Sequence, residues 1–234
     1  MCAVIGALIK SPSKEDFEAL KRVFIESKIR GMHATGISFL PNWTDDIITI
    51  KEAIPADAFV EKHMHSDNFK EFVNKDGNLY LIGHCRYSTS DLEYNQPIGN
   101  DSHSIVHNGV ITQELPERWQ ELYGYKTVTK NDSELVQHSN DPLAEFSNMS
   151  MAVCELTACT KELTVYRNGK RPLYLTNLPN GVIITSTADI PKRAGLTDTV
   201  ELDMDTYFKF DSELTMVIDR VITGNKDLQH VQQS

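Results

Sequence analysis

The first half of the chain alternates short apolar runs with segments of helical periodicity. The apolar run over residues 2–9 is typical of a buried strand, and the spacing of Phe17, Leu20 and Phe24 predicts a helix over residues 14–29. Ser11-Pro12-Ser13 supplies the polar start of that helix, and residues 30–36 form a predicted glycine-punctuated turn. The pattern predicts further helices at 56–74, 115–123 and 132–137, and strands at 37–40, 46–50, 79–82 and 103–106.

From residue 151 onward the pattern is that of strands and tight turns. The predicted strands are 151–157, 162–167, 172–177, 181–186, 199–203, 206–210 and 213–221. Asn168-Gly169 and Asn180-Gly181 are turn sequences of the hairpin type. Since no linker or repeat interrupts the chain, we expect residues 1–234 to form a single domain. Helices mixed with many short strands predict an α+β layered sandwich rather than a doubly wound sheet.

Composition and charge exclude several classes of protein. The net charge is −10 and the 23 basic residues form no stripe, which argues against a nucleic-acid partner. No apolar run approaches the roughly 18 residues of a membrane span, and the start of the chain lacks a basic signal-peptide region. The four cysteines form no CxxC pair, so we expect no metal, no cofactor and a reduced, cytoplasmic protein. Cys154 and Cys159 are predicted to be core thiols.

Cys2 is a candidate nucleophile because of its place behind Met1. Removal of Met1 would leave a cysteine that carries both a thiol and a free α-amino group. That amine has an ordinary pKa of about 7.7–8.0, so it is partly neutral at pH 7 and can take the thiol proton. The alternative is that Cys2 is a small buried hydrophobe on the first strand, which is common for cysteine.

Three polar clusters complete the candidate chemistry, at residues 83–89, 106–109 and 131–134. Arg86 offers a fork of donors suited to a carboxylate, and Asp132 can hold an ammonium group. Asn108 and Gly109 offer a side-chain amide and an unshielded backbone N–H, the two donors of an oxyanion hole. Taken singly, each has an ordinary structural explanation: a surface ion pair for Arg86, a turn for Asn-Gly, and a helix N-cap for Asp132.

Taken together and in this order, these segments resemble the class II glutamine amidotransferases, whose glutaminase domains are N-terminal-nucleophile hydrolases. The resemblance rests on motifs in the family's order. They are Met1-Cys2, Arg30-Gly31 with Gly36, the run Gly-His-Cys-Arg-Tyr-Ser-Thr at 83–89, Asn95-Gln96-Pro97, His107-Asn108-Gly109, Asp132-Ser133-Glu134 and, more weakly, Arg171-Pro172-Leu173. The sequence of residues 83–89 is most similar to that of amidotransferases of the phosphoribosylamine-forming type.

The resemblance implies a fold and a role for each residue. The fold would be the four-layer αββα sandwich of N-terminal-nucleophile hydrolases, and the substrate would be L-glutamine. Cys2 would be the nucleophile, with Asn108 and Gly109 as the oxyanion hole. The resemblance further assigns to substrate binding Arg86 and Thr89 at the α-carboxylate, Asp132 at the α-amino group, and Arg30 near the nucleophile.

Some features depart from the family or leave alternatives open. His33, Asn168 and Thr187 stand where acidic residues are usual, which puts loop packing in doubt. No synthase domain or P-loop pattern follows in this sequence, so we expect the ammonia to be accepted by a separate synthase protein. The alternatives are an N-terminal-nucleophile amidohydrolase that acts on another amide, and a non-catalytic module that keeps the fold.

Overall fold

The computed structural model of the chain describes residues 1–88, 92–214 and 216–221. Its strands are β1 (Ala3–Lys10), β2 (Ala34–Phe39), β3 (Ile48–Glu52), β4 (Asn78–Arg86), β5 (Ile98–Gly99), β6 (His103–Val110), β7 (Ser150–Thr157), β8 (Glu162–Arg167), β9 (Tyr174–Leu178), β10 (Gly181–Thr185), β11 (Thr199–Glu201), β12 (Thr206–Phe210) and β13 (Met216–Val221). Its α-helices are α1 (Lys14–Ser27), α2 (Ala56–His63), α3 (Pro116–Tyr123), α4 (Ser133–His138), α5 (Pro142–Glu145) and α6 (Asp189–Arg193). Short 3₁₀ segments lie at Lys28–Arg30, Ser66–Phe72 and Leu92–Tyr94.

The strands form two antiparallel sheets. The first sheet has the order β11-β9-β10-β1-β4-β2-β3, and the second has the order β13-β12-β8-β7-β6-β5. The apolar strand β1 lies inside the first sheet, where β10 and β4 pair with it on either side. A strand buried on both faces is expected to be apolar throughout, and seven of the eight residues of β1 are buried.

The two sheets stack face to face with helices on both outer faces. Alternate residues of β1 separate the layers: Val4 and Leu8 enter the core between the sheets, whereas Ile5 and Ile9 face the outer helices. Helices α1, α2 and α6 contribute to the core on the first sheet, and α3, α4 and α5 to the core on the second sheet. The arrangement is helices, sheet, sheet, helices, which confirms the predicted α+β four-layer sandwich.

Helix α1 begins where its sequence predicts. The Ser13 hydroxyl accepts a hydrogen bond from the Asp16 backbone N–H at 3.1 Å, and the Asp16 carboxylate accepts one from the Ser13 N–H at 2.8 Å. This capping box satisfies two backbone donors that a helix start would otherwise leave free. Phe17, Leu20 and Phe24 are fully buried against the first sheet, and each such side chain contributes about 1.5–3 kcal/mol.

The structure corrects several local predictions. The predicted helix at 56–74 is wrong, because the backbone leaves the helical region at Met64 and resumes as a 3₁₀ segment at Ser66–Phe72. The predicted turn at 30–36 ends early, since β2 already begins at Ala34. Asn168-Gly169 is not a hairpin turn, because it joins β8 of one sheet to β9 of the other. Cys154 is a core thiol as predicted, but Cys159 is exposed in a turn.

Candidate active site

A cavity of about 740 Å³ opens at one end of the sandwich, where β4 and β6 bring polar side chains toward each other. The polar clusters at 83–86 and 107–109 lie inside these two strands, rather than beyond their ends as the sequence suggested. The nucleophilic, charged and hydrogen-bonding side chains that line this cavity include Cys2, His84, Arg86, Gln96, His107, Asn108, Asp132 and Arg171. Segments far apart in the chain therefore meet at one place.

Cys2 lies at the mouth of this cavity, directly before β1. The register of β1 with β4 pairs Ala3 with Cys85 and Val4 with His84, and its continuation by one residue sets Cys2 across from Arg86. Paired residues of neighbouring strands share a face, so Cys2 and Arg86 point to the inner side of the sandwich, as Val4 does. Cys2 is half-buried, whereas Cys85 is fully buried and its pKa is raised to about 12 by desolvation. A buried thiol of that kind is inert, and among the described residues Cys2 is the one cysteine that lines the cavity.

Arg86 is oriented by the loop that follows the 3₁₀ segment Leu92–Tyr94. Its Nη1 donates to the Asn95 side-chain oxygen at 3.0 Å. That loop is held in turn by Lys51, whose Nζ donates to the carbonyls of Asn95 and Pro97 at 2.9 and 3.1 Å. Gly36 permits the close approach, because a Cβ there would lie 2.2 Å from the Gln96 carbonyl oxygen. Arg86 lines the cavity, and its guanidinium has further N–H donors besides the one that Asn95 accepts.

His107 is buried in a hydrogen-bond network that fixes its tautomer. Its Nε2 lies 3.2 Å from the Ser150 carbonyl, which can only accept, so Nε2 carries the proton. Its Nδ1 then accepts from the Ser133 hydroxyl at 2.8 Å. Gln96 closes the network by accepting from the His107 N–H and donating to the His107 carbonyl. Desolvation lowers the pKa of His107, which favours the neutral ring.

Asn108 and Gly109 follow on the same strand, and the backbone there requires glycine. Gly109 has φ +151°, and a Cβ at this position would lie 1.9 Å from the Ser150 carbonyl oxygen. The Asn108 side chain is 4% exposed, and its Nδ2 has no hydrogen-bond partner among the described residues. An amide donor that is buried at a cavity and unpaired there is available to a ligand.

Asp132 precedes α4, yet its carboxylate does not cap that helix. Instead Oδ2 accepts from the backbone N–H groups of Ile111 and Thr112, at 2.6 and 3.2 Å. Both bonds go to one oxygen, which leaves Oδ1 for a ligand in the cavity that Asp132 lines. The N-cap explanation for Asp132 is therefore excluded.

The other two residues predicted to bind the substrate are Arg30 and Thr89. Arg30 does not line the 740 Å³ cavity. Its Nε donates to the Cys2 carbonyl at 3.1 Å, and its side chain borders a neighbouring cavity of about 330 Å³ together with Met1 and Tyr87. Arg30 thus contacts the main chain of the candidate nucleophile. Thr89 lies outside the described residues, and its predicted role stays a prediction.

Sequence reasoning gave no role to four of these lining residues, His84, Gln96, His107 and Arg171. His84 and Arg171 differ from the other two because each has a buried nitrogen without a partner among the described residues. Three buried side-chain nitrogens there have no partner among the described residues: His84 Nε2, Asn108 Nδ2 and Arg171 Nε. Leaving a buried polar atom unpaired costs about 1–3 kcal/mol, so their convergence on one cavity indicates a polar ligand. Both residues belong to segments that carry the family resemblance, which was the one sequence signal available for them.

Two of the three residues that depart from the family pattern, His33 and Asn168, have side-chain contacts with neighbouring segments. His33 accepts a hydrogen bond from the Ser88 N–H at 3.3 Å and packs edge-on against Tyr87, so it supports the segment after β4. Asn168 accepts from the Met151 N–H at 3.2 Å and thereby ties the end of β8 to β7. Neither residue lines the cavity.

The described ranges contain neither a group of metal ligands nor a membrane-spanning helix. In residues 1–88, 92–214 and 216–221, no three His, Cys, Asp or Glu side chains are grouped as metal ligands would be. Within the same ranges, every helix is too short or too polar to span a bilayer.

Comparisons with known proteins find similarity in structure but not in sequence. The sequence matches no protein-family model and no curated protein. Among solved structures, the chain is similar to the glutamine phosphoribosylpyrophosphate amidotransferase of B. subtilis in complex with ADP and GMP, with a TM-score of 0.67 and 19% identity over 94% of this chain. A structure described as the allosteric regulatory enzyme of purine biosynthesis gives a TM-score of 0.68 at 19% identity over the same share of this chain.

The extent of these matches differs. The chain spans 49% of the length of each of those two structures. A glutamine aminotransferase class-II domain protein from Silicibacter pomeroyi is matched over 99% of its length and 93% of this chain, with a TM-score of 0.54 and 12% identity. These likenesses confirm the predicted resemblance at the level of the fold. The chain has the N-terminal-nucleophile hydrolase fold of class II glutamine amidotransferase domains.

Proposed function

We propose that this chain is a glutaminase that hydrolyses the side-chain amide of L-glutamine through a thioester on Cys2. The observation that carries the proposal is the convergence of Cys2, Arg86, Asn108, Gly109 and Asp132 on one cavity. They supply a nucleophile, two oxyanion donors and a charge of each sign. This set matches an α-amino acid with a side-chain carboxamide.

The proposed binding mode uses the hydrogen-bond donors and acceptors of the site that have no partner in the protein. The Arg86 donors that Asn95 does not use take the α-carboxylate. Asp132 Oδ1, which the backbone bonds to Oδ2 leave free, takes the α-ammonium. Thr89 is proposed as a second ligand of the carboxylate. Arg30 is proposed to act at the nucleophile, where it holds the Cys2 carbonyl.

The proposed reaction has two steps. With Met1 removed, the Cys2 α-amine takes the thiol proton and sulfur attacks the carboxamide carbon. Asn108 Nδ2 and the Gly109 N–H stabilise the resulting oxyanion, a contribution of about 3–4 kcal/mol for one such donor. The C–N bond then breaks as the protonated amine returns its proton to the departing ammonia. Water cleaves the thioester, which releases glutamate and restores the thiol.

We further propose that the ammonia is used by a separate synthase protein. Ammonia released into water is largely protonated, so a glutaminase is productive when an acceptor site collects it. Tyr87 and Tyr94 line the cavity. We propose residues 30–36 and 87–97 as the elements that a partner would close.

The experiment is to measure glutamate and ammonia released from L-glutamine by the N-terminally processed protein. Cys2→Ser should lower the rate by orders of magnitude, because a hydroxyl is a far poorer nucleophile beside a weak amine base. Cys159→Ser is the matched control, since Cys159 is exposed and does not line the cavity. Equal rates in both variants would contradict the proposal. Hydrolysis of other amides but not of glutamine would favour the general amidohydrolase.

A further inference from the structure

His84 lies beside the proposed reaction centre on the inner face of β4. It is 1% exposed and directly opposite Val4 in the register of β1 with β4. By the same register Cys2 is its diagonal neighbour, and Cβ atoms in that relation are typically about 7–8 Å apart or less. Thus an imidazole is buried within reach of whatever group Cys2 attacks.

The ring of His84 is neutral and one of its nitrogens is unused. Desolvation, aided by the charges of Arg86 and His107, lowers the pKa of His84 to about 3. A hydrogen bond to the His107 backbone acts in the opposite direction, as expected when the ring donates to a carbonyl. Since Nε2 has no partner among the described residues, that donor is Nδ1. Nε2 therefore presents a lone pair, which makes it a hydrogen-bond acceptor.

The two unpaired atoms on β4 and β6 are chemically complementary. Asn108 Nδ2 is a donor and His84 Nε2 is an acceptor, and both residues line the same cavity. A primary carboxamide needs this pair, because its oxygen accepts and its NH₂ group donates. A carboxylate or an ester lacks the N–H donor and would set oxygen lone pairs against Nε2.

We propose that His84 Nε2 accepts a hydrogen bond from the carboxamide N–H of the substrate while Asn108 binds the carboxamide oxygen, so that the pair selects the amide over the acid. This inference rests on the proposed glutaminase function and adds the residue that sets its specificity. A site that pairs with a substrate N–H rejects analogues without it, because the buried acceptor is then left unpaired. The same effect expels glutamate, the product.

The test compares L-glutamine with L-glutamate γ-methyl ester, which has no N–H at the reacting group. His84→Leu and His84→Phe remove the acceptor, and each should lower kcat/KM for glutamine by about 10- to 100-fold. The same variants should change kcat/KM for the ester by no more than about 3-fold, because the ester never used the acceptor. His84→Gln, which retains an acceptor oxygen, should recover part of the preference for the amide.

The outcomes separate this inference from the function on which it rests. An equal fall for both substrates in a folded variant would assign His84 a structural role only and overturn the inference. Wild-type protein provides a test that needs no variant: glutamate should inhibit with a Ki at least about 10-fold above the dissociation constant for glutamine. Equal affinities would also overturn it. A wild-type protein that hydrolyses neither substrate would refute the glutaminase proposal itself, and this inference with it.

Discussion

Replacement of Gly109 by alanine tests the geometry of the oxyanion site through stability and activity together. A non-glycine residue at φ +151° is strained, at a cost of about 1–3 kcal/mol. The added Cβ would also lie 1.9 Å from the Ser150 carbonyl oxygen and 2.8 Å from His107 Nε2, so the paired strand must shift. Such overpacking costs a further 1–3 kcal/mol or so, and we expect about 2–6 kcal/mol in total.

The assay is chemical unfolding followed in parallel with glutaminase activity. A loss of that size also lowers the melting temperature, by about 4–24 °C in a domain of this length. Activity of the folded fraction should fall by a factor of about 100 or more, because the Gly109 N–H is displaced from the oxyanion. Gly124→Ala is the matched control: Gly124 has φ +78° with no atom within 4 Å of an added Cβ, so only about 1–2 kcal/mol of backbone strain applies. Equal effects of the two substitutions on stability and activity would refute the reasoning.

Three further predictions concern the ligand clamps and the buried histidines. Arg86→Lys should raise the KM for glutamine by about 10-fold or more with little change in kcat, because an ammonium cannot bind Asn95 and a carboxylate as a fork does; steady-state kinetics checks this. Asp132→Asn should raise KM by about 10- to 100-fold while the melting temperature stays within a few degrees, since the amide oxygen can still accept the backbone bonds; an unchanged KM would disprove the ammonium assignment. Because burial lowers the pKa values of His84 and His107, stability is complete above the ordinary histidine pKa of about 6.5 and falls as the pH drops below it. His84 alone should account for a loss of about 2 kcal/mol by pH 5, and His84→Gln should flatten that dependence in denaturant titrations.

The elements that sequence predicts well are those with a strong local signal. β1 follows from an uninterrupted apolar run, and α1 from its helical spacing after the polar start Ser11-Pro12-Ser13. Both occur within two residues of the predicted bounds. The helix at 56–74 fails because its apolar spacing continues past Met64, where the backbone turns away. Nothing in the side-chain pattern marks that turn.

The candidate site shows a different limit. The sequence suggests that β4 and β6 stop before their polar residues, because polar side chains are unusual inside a sandwich. Both strands continue through these residues because His84, Arg86 and Asn108 line a cavity, so their polar atoms are not packed against the apolar core. His84 and Arg171 stand out in the structure because each has a buried nitrogen without a partner among the described residues. That property arises from tertiary packing and has no counterpart in local sequence.

The central claim is that Cys2, freed from Met1, performs the hydrolysis. The most direct measurement is mass spectrometry of the purified protein during turnover of L-glutamine, combined with assay of the glutamate released. We predict a protein that lacks Met1, a glutamyl adduct on the Cys2 peptide that disappears when glutamine is exhausted, and glutamate and ammonia in equal amounts. Hydrolysis of glutamine at full rate by a protein that retains Met1 would contradict the account. So would turnover that proceeds without an adduct and persists in the Cys2→Ser variant.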